Sequence, residues 1–310
     1  MKMKKLITGV TVLAMSTLLL AACGGSKDKD TKDSSAASSS VAKDTKESKK
    51  EEAPKKQIAG GELKDGEYTL EEKNENQDYR ATFTMVVKDG KIAESKYDNI
   101  NKDGKSKTED AKYNEMMEEK AKTSPEKFIP ELNESLVAAQ SADGVEVVTG
   151  ATHSAESFKN YAQQLIQAAQ AGKTDKIEID NGAKLKDGDY TLEEKNESNG
   201  YRTVFTLVVK DGKIAESKYD NINKDGKSKT EDAKYNDMMK EQAKTNPKEF
   251  IPALNKALVE AKEQKPSEVE VVTGATHSTH SFQMYAEQLI NAAEKGDTAK
   301  IEVDNIVFEN

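Results

Sequence analysis

The chain has 310 residues, with 47 Lys and Arg against 56 Asp and Glu, a formal net charge of −9, 5% aromatic residues and no Trp. Mixed-sign charge without a basic stripe interleaved with aromatics excludes a nucleic-acid surface, and so few aromatics do not suit an aromatic-lined sugar or peptide cleft. One Cys and three His leave no disulfide, no CxxC pair and no thiolate metal centre, so redox chemistry would need a bound organic cofactor.

The chain opens on the basic head "MKMKK" and the apolar run "LITGVTVLAMSTLLL", of signal-peptide length and too short for a comfortable membrane span. The run ends in "LAAC", Leu20 to Cys23, followed by "GGS". This resembles a bacterial lipobox, which implies removal of residues 1–22 as a signal peptide and attachment of membrane lipid to the Cys23 sulfur. Residues 23–60 are mostly Ser, Lys, Asp and Glu, too poor in apolar side chains to bury a core. They are expected to be a disordered linker, about 35 Å end to end on average.

The remainder is a tandem duplication. "LKDGEYTLEEKNE" at Leu63 returns as "LKDGDYTLEEKNE" at Leu185, 122 residues on, and a long run is letter-for-letter the same from Val86 and from Val208. From Val145 and Val269 onward the offset is 124, so two residues were gained in between. Two domains are expected, 61–181 and 182–310, each of a size that can fold by itself.

Within each unit the period changes in order. Tyr79, Ala81, Phe83, Met85 and Val87 alternate as one strand face, and Asp89-Gly90 is a hairpin turn. "EDAKYNEMMEEKAK" and "SPEKFIPELNESLVAAQ" predict two helices, the second with Ser124 as cap, Pro125 at its first position and Pro130 as a site of bending. A short strand "VEVV" is expected next, then a last helix whose Phe158, Tyr161, Ala162, Leu165, Ile166 and Ala169 form one buried face. Gly172 stands where a helix-ending glycine belongs. The fold class is α+β twice over, an antiparallel sheet with helices in each copy.

"NINKDGKSKTED" from Asn99 has a calcium-loop spacing at Asn99, Asn101, Asp103 and Gly104, but begins with Asn and ends on Asp110 rather than Glu. It reads as a polar turn, and no metal site is assigned. The acidic clusters "EMMEEK" and "TLEEKNE" read as solvated faces, the two adjacent carboxylates of "TLEEK" pointing to opposite sides of a strand.

"VVTGATHS" occurs at Val147–Ser154 and at Val271–Ser278. Read physically it is strand, tight turn and helix start. Gly150 and Gly274 permit close approach or positive φ, Ala151 and Ala275 add no bulk, and Thr152, Ser154, Thr276 and Ser278 offer hydroxyls to cap the helix. Free backbone N–H groups and the positive end of the helix dipole favour a phosphate there. His153 and His277 are expected to face solvent; neighbours in sequence cannot converge with Thr and Ser as a triad.

The motif resembles the flavinylation motif of FMN-binding domains, in which Ser or Asp, Gly-Ala, Ser or Thr, any residue and then Thr precede a helix. The resemblance implies that a flavin transferase of the ApbE type moves FMN from FAD onto the final hydroxyl as a phosphoester, here Ser154 and Ser278, with Thr152 and Thr276 as the other possible acceptors. Thr149 and Thr273 stand where Ser or Asp is usual, and Ser154 and Ser278 where Thr is usual. The lipobox, linker and paired units are most similar to lipid-anchored members of Gram-positive extracellular electron transfer. That implies a two-FMN electron carrier on the outer membrane face rather than an enzyme with its own substrate pocket. Electrons would come from a membrane quinone-linked donor and go to extracellular acceptors such as ferric iron or soluble shuttles. In the resembling group the signal peptide also yields a pheromone, here from around "LAMSTLLLAA". The alternative is a non-redox surface adhesin or binding lipoprotein with duplicated domains.

Overall fold

The computed structural model describes residues 56–309, so the expected signal peptide, Cys23 and most of the linker lie outside the described residues. The strand Gln57–Ala59 (β1) falls within the last residues assigned to the linker, where it pairs antiparallel with Val307–Phe308 (β10). A partner at the far end of the chain supplies the hydrogen bonds that its own composition did not foretell.

In the first half Gly66–Glu72 (β2), Arg80–Lys88 (β3) and Lys91–Ile100 (β4) form an antiparallel meander. Ala81, Phe83, Met85 and Val87 are buried in alternation, as the period of two requires. Asp89 and Gly90 both take positive φ, 53° and 70°, the signature of the hairpin turn that matches strand twist. A fourth strand, Ile177–Ile179 (β5), joins parallel to β2, with Leu70 opposite Ile177. The sheet order is β4-β3-β2-β5, so the sheet is mixed rather than purely antiparallel. The second half repeats it with Gly188–Glu194 (β6), Arg202–Lys210 (β7), Lys213–Ile222 (β8) and Ile301–Val303 (β9).

Each half has three helices: Ala111–Ala121 (α1), Pro125–Ala139 (α2) and Thr152–Ala171 (α3), then Ala233–Ala243 (α4), Pro247–Glu260 (α5) and Thr276–Lys295 (α6), of which α2 and α3, and α5 and α6, pack on the sheets. Asp110 caps α1 through its carboxylate on the Tyr113 N–H at 3.0 Å. Ser124 occupies the cap position of α2 without a side-chain bond, whereas its counterpart Asn246 accepts from Glu249 N–H at 3.0 Å. Pro130 does not interrupt α2: it and Glu126, whose carbonyl loses its helical partner, are both exposed, so that carbonyl is open to solvent.

The outer edge of β4 is finished by side chains. Asn133 on α2 accepts from Tyr97 N–H at 2.7 Å and donates to Tyr97 O at 3.0 Å, while Gln140 accepts from Ile92 N–H at 2.8 Å and donates to Ile92 O at 2.9 Å. Asn255 and Gln264 do the same for Tyr219 and Ile214. These bonds hold α2 and α5 on their edge strands and satisfy groups that would otherwise invite another strand.

The expected "VEVV" strand is not formed. Residues 145–148 and 269–272 contain no strand, because β5 and β9 occupy the fourth places in the sheets. The predicted apolar face of α3 is buried as expected, but the opposite face is buried too: Glu156, Lys159, Asn160 and Gln163 are all hidden. What covers it is α6 of the second half, and α3 and α6 pack together as the seam between the two copies.

Candidate functional site

Each motif is a turn locked between two helices. Ala151 N–H donates to Val148 O at 2.9 Å, closing a turn with Thr149 and Gly150 at its centre, and Gly150 has φ +83°. Positive φ at the third turn position marks a type II turn and favours glycine. A second constraint is steric: a Cβ on Gly150 would lie 2.2 Å from Ala121 O, at the end of α1, and one on Gly274 would lie 2.2 Å from Ala243 O, at the end of α4. The close approach anticipated for these glycines is therefore made to the protein's own backbone.

The hydroxyls do not cap the helix. The cap residues are Ala151 and Ala275, buried and without side-chain bonds, because helical geometry already begins at Thr152 and Thr276. Thr152 and His153 are exposed and Ser154 half-buried, with the same pattern at Thr276, His277 and Ser278; Thr149 and Thr273 are exposed. Among the described residues no protein group accepts from the backbone N–H of Thr152, His153 or Ser154, and the first helical bond runs from Ala155 N–H to Ala151 O. Each motif thus presents free N–H groups and free hydroxyls at the positive end of a 20-residue helix. Chemically this suits an anion, or a phosphate borne on one of the hydroxyls.

The copies differ one residue further on. Thr279 replaces Ala155, and its hydroxyl accepts from Val272 N–H at 3.2 Å while donating to Ala275 O at 3.0 Å. The second turn is pinned by a bond that the first lacks.

Directly below both motifs runs the polar seam, none of which the sequence had pointed to. Glu156 and Lys159 are each only 4% exposed. The Glu156 carboxylate has an oxygen with no hydrogen-bond partner, and burial pushes its pKa up to about 7. Lys159 donates to Asp143 O at 3.2 Å, and burial lowers its pKa. Glu287 accepts from Ser157 Oγ at 3.2 Å; burial, then the charges of Glu156, Glu72 and Glu294, push it up to about 8. Burial, and then the positive charge of Lys159, lower the pKa of His280. Asn160 donates to Asn291 at 2.9 Å and Gln288 to Gln167 at 2.7 Å further along. The available signal was the run of Asn and Gln on the non-apolar side of α3, where a solvent face usually carries Lys and Glu.

The second carboxylate of "TLEEK" is not solvated as expected. Glu72 turns inward, accepting from Tyr161 OH at 2.5 Å and Ala81 N–H at 2.7 Å, and Glu194 accepts from Tyr285 OH at 2.6 Å and Thr203 N–H at 2.7 Å. Each ties its sheet to the motif helix above it. Glu71 points the other way, to Arg80 and Lys176, so the opposite-face reading holds. In the loop with calcium-like spacing, Asn101 Oδ1 is taken by the N–H groups of Asp103 and Lys105 at 3.0 and 2.9 Å, and Asp110 by Tyr79 OH and the α1 cap. It is a self-satisfied polar turn. Among the described residues no group of three or more His, Cys, Asp or Glu is arranged to hold a metal, and no helix is long and apolar enough to cross a membrane.

No family model matches the chain. It is similar to the CPE2226 protein from Clostridium perfringens, a solved structure, with 38% identity over 38% of this chain and 98% of that one at a TM-score of 0.37. It is also similar to the 15 kDa lipoprotein of Treponema pallidum (strain Nichols), 32% identical over 114 residues that make up 33% of this chain and 81% of that protein. The matched stretch is close to the length of one repeat. With 81% of its length matched at 32% identity, the chain belongs to the family of the 15 kDa lipoprotein.

Proposed function

We propose that this protein is a lipid-anchored flavoprotein on the outer face of a Gram-positive cell, carrying one covalent FMN on Ser154 and one on Ser278. The observation that carries the reading is the free hydroxyl in the first turn of a long helix, beside three backbone N–H groups without protein partners. Those groups fit a phosphate: the N–H donors and the helix dipole stabilise its charge, and the exposed turn admits a transferase. In the loading step the serine oxygen forms the new bond to phosphorus while the pyrophosphate bond of FAD breaks; AMP leaves and the hydroxyl proton goes to solvent. Thr152 and Thr276 are the fallback acceptors in the same turns.

Bound FMN supplies one- and two-electron transfer, which the chain's own side chains do not. Covalent attachment keeps the cofactor from dilution into the outside volume. Family membership with a lipoprotein supports anchoring through Cys23, and the linker gives the folded part reach. Electrons would pass from a membrane quinone-linked donor to extracellular acceptors such as ferric iron or soluble shuttles.

The test is to co-express the mature chain with a flavin transferase of the ApbE type, denature it, and measure flavin absorbance and polypeptide mass. Two added FMN groups are expected, and Ser154→Ala with Ser278→Ala should remove both. Label persisting in that variant moves the acceptors to Thr152 and Thr276; no label on the unmodified chain removes the redox reading.

A further inference from the structure

Within its first two turns each motif helix is touched by a carboxylate from the other copy, α6 at His277 and Ser281 and α3 at Ser157. Asp143, in the first-half loop after α2, accepts from Ser281 Oγ at 3.3 Å and lies 3.4 Å from His277 Nε2, while its backbone oxygen takes the buried Lys159 ammonium at 3.2 Å. Glu287, in the middle of α6, accepts from Ser157 Oγ at 3.2 Å. Ser157 and Ser281 occupy equivalent positions, three residues beyond Ser154 and Ser278 and so on nearly the same helix face. The loop carrying Asp143 is held by its own bonds, Gly144 N–H to Ser141 Oγ at 3.2 Å and Val145 N–H to Ala142 O at 3.2 Å. Ser267 replaces Asp143 in the second copy, so the two crossings use different residues to reach the same kind of serine.

We propose that the two motif sites are positioned reciprocally across the seam, Asp143 of the first half setting the first turn of α6 and Glu287 of the second half setting the first turn of α3. Neither site is then complete within its own repeat, and a change in one copy is read out at the motif of the other. Asp143 and Glu287 are positioning residues, acting through Ser281 and Ser157 on the turns that carry Ser278 and Ser154. The part that concerns flavin loading rests on the proposed function; the positioning itself does not.

The test uses the whole folded chain and two readouts. Hydrogen exchange is followed at residues 155–158 and 279–282, whose N–H groups close the first turns. Asp143→Ala should speed exchange about three- to fivefold at 279–282 only, and Glu287→Ala by a similar factor at 155–158 only, the size expected for one lost hydrogen bond. Asp143→Asn and Glu287→Gln keep an acceptor oxygen and should restore the slow rates. In chains loaded by a flavin transferase, site-resolved mass spectrometry should show loading slowed at Ser278 by Asp143→Ala and at Ser154 by Glu287→Ala. Exchange that rises equally at both turns, or in the variant's own half, overturns the proposal. Crossed exchange effects with no flavin on any chain would sink the flavin reading while leaving reciprocal positioning intact.

Discussion

The two motifs share eight letters and one local geometry. Both glycines have φ +83°, and in both a Cβ would meet a helix-end carbonyl at 2.2 Å. Their surroundings differ. The second turn has the Thr279 bond beneath it and Asp143 against its histidine, whereas the first has Ala155 and, further along, Glu287. Identical sequence therefore fixes the shape of a turn but not its electrostatic setting, which depends on what the rest of the chain brings alongside.

The largest expected effects test the part of this comparison in which the copies agree. Gly150→Ala and Gly274→Ala should each destabilise the fold by about 2–4 kcal/mol, from the strained φ and the clash together. Chemical denaturation should give similar losses; a large difference between them would break the equivalence of the turns. Asn133→Ala and Asn255→Ala should come next, at about 2–3 kcal/mol each, because each leaves backbone groups of an edge strand unsatisfied.

The seam adds a pH dependence. Burial holds the protons of Glu156 and Glu287 more tightly in the folded chain, with pKa values of about 7 and about 8 against an ordinary 4.5. Their contribution is fully present below about pH 4.5 and is lost as pH rises through 7 and 8, where folding must bury charge. Glu156→Gln combined with Glu287→Gln should match the parent's Tm at pH 4 and exceed it by more than about 10 °C at pH 9. Parallel Tm curves for the two proteins would place the pH sensitivity elsewhere. The smallest effect sharpens the difference between the motifs: His277 is 76% exposed beside Asp143, so His277→Ala should change stability by less than about 0.5 kcal/mol in thermal melts.

Local features were legible in the sequence because they depend on near neighbours. The alternation of β3, the Asp89-Gly90 turn, Pro125 at a helix start and the glycine ends at Gly172 and Gly296 all follow from side-chain period or from the φ that a residue tolerates. Ser154 and Ser278 were legible as first-turn hydroxyls, although the cap positions belong to Ala151 and Ala275 and no side chain caps either helix. The short strand β5 was not legible, since three residues carry almost no periodic signal and "VEVV" carried a stronger one. Glu156, Lys159 and Glu287 were hidden for another reason. A charged residue reads as a surface residue until a distant helix is known to lie on it.

Sequence alone determined the duplication, the hairpin and the three helices of each copy and the turn that introduces each long helix, because short-range sterics and periodicity decide those. Only the tertiary structure decided that β5 and β9 would complete the sheets in parallel, that α3 and α6 would bury their polar faces against each other, and that the two motifs would sit in unequal settings. Those outcomes depend on contacts between residues more than a hundred positions apart. There most of the buried polar groups find partners that no local pattern can name, while a few atoms, such as one Glu156 oxygen, find none.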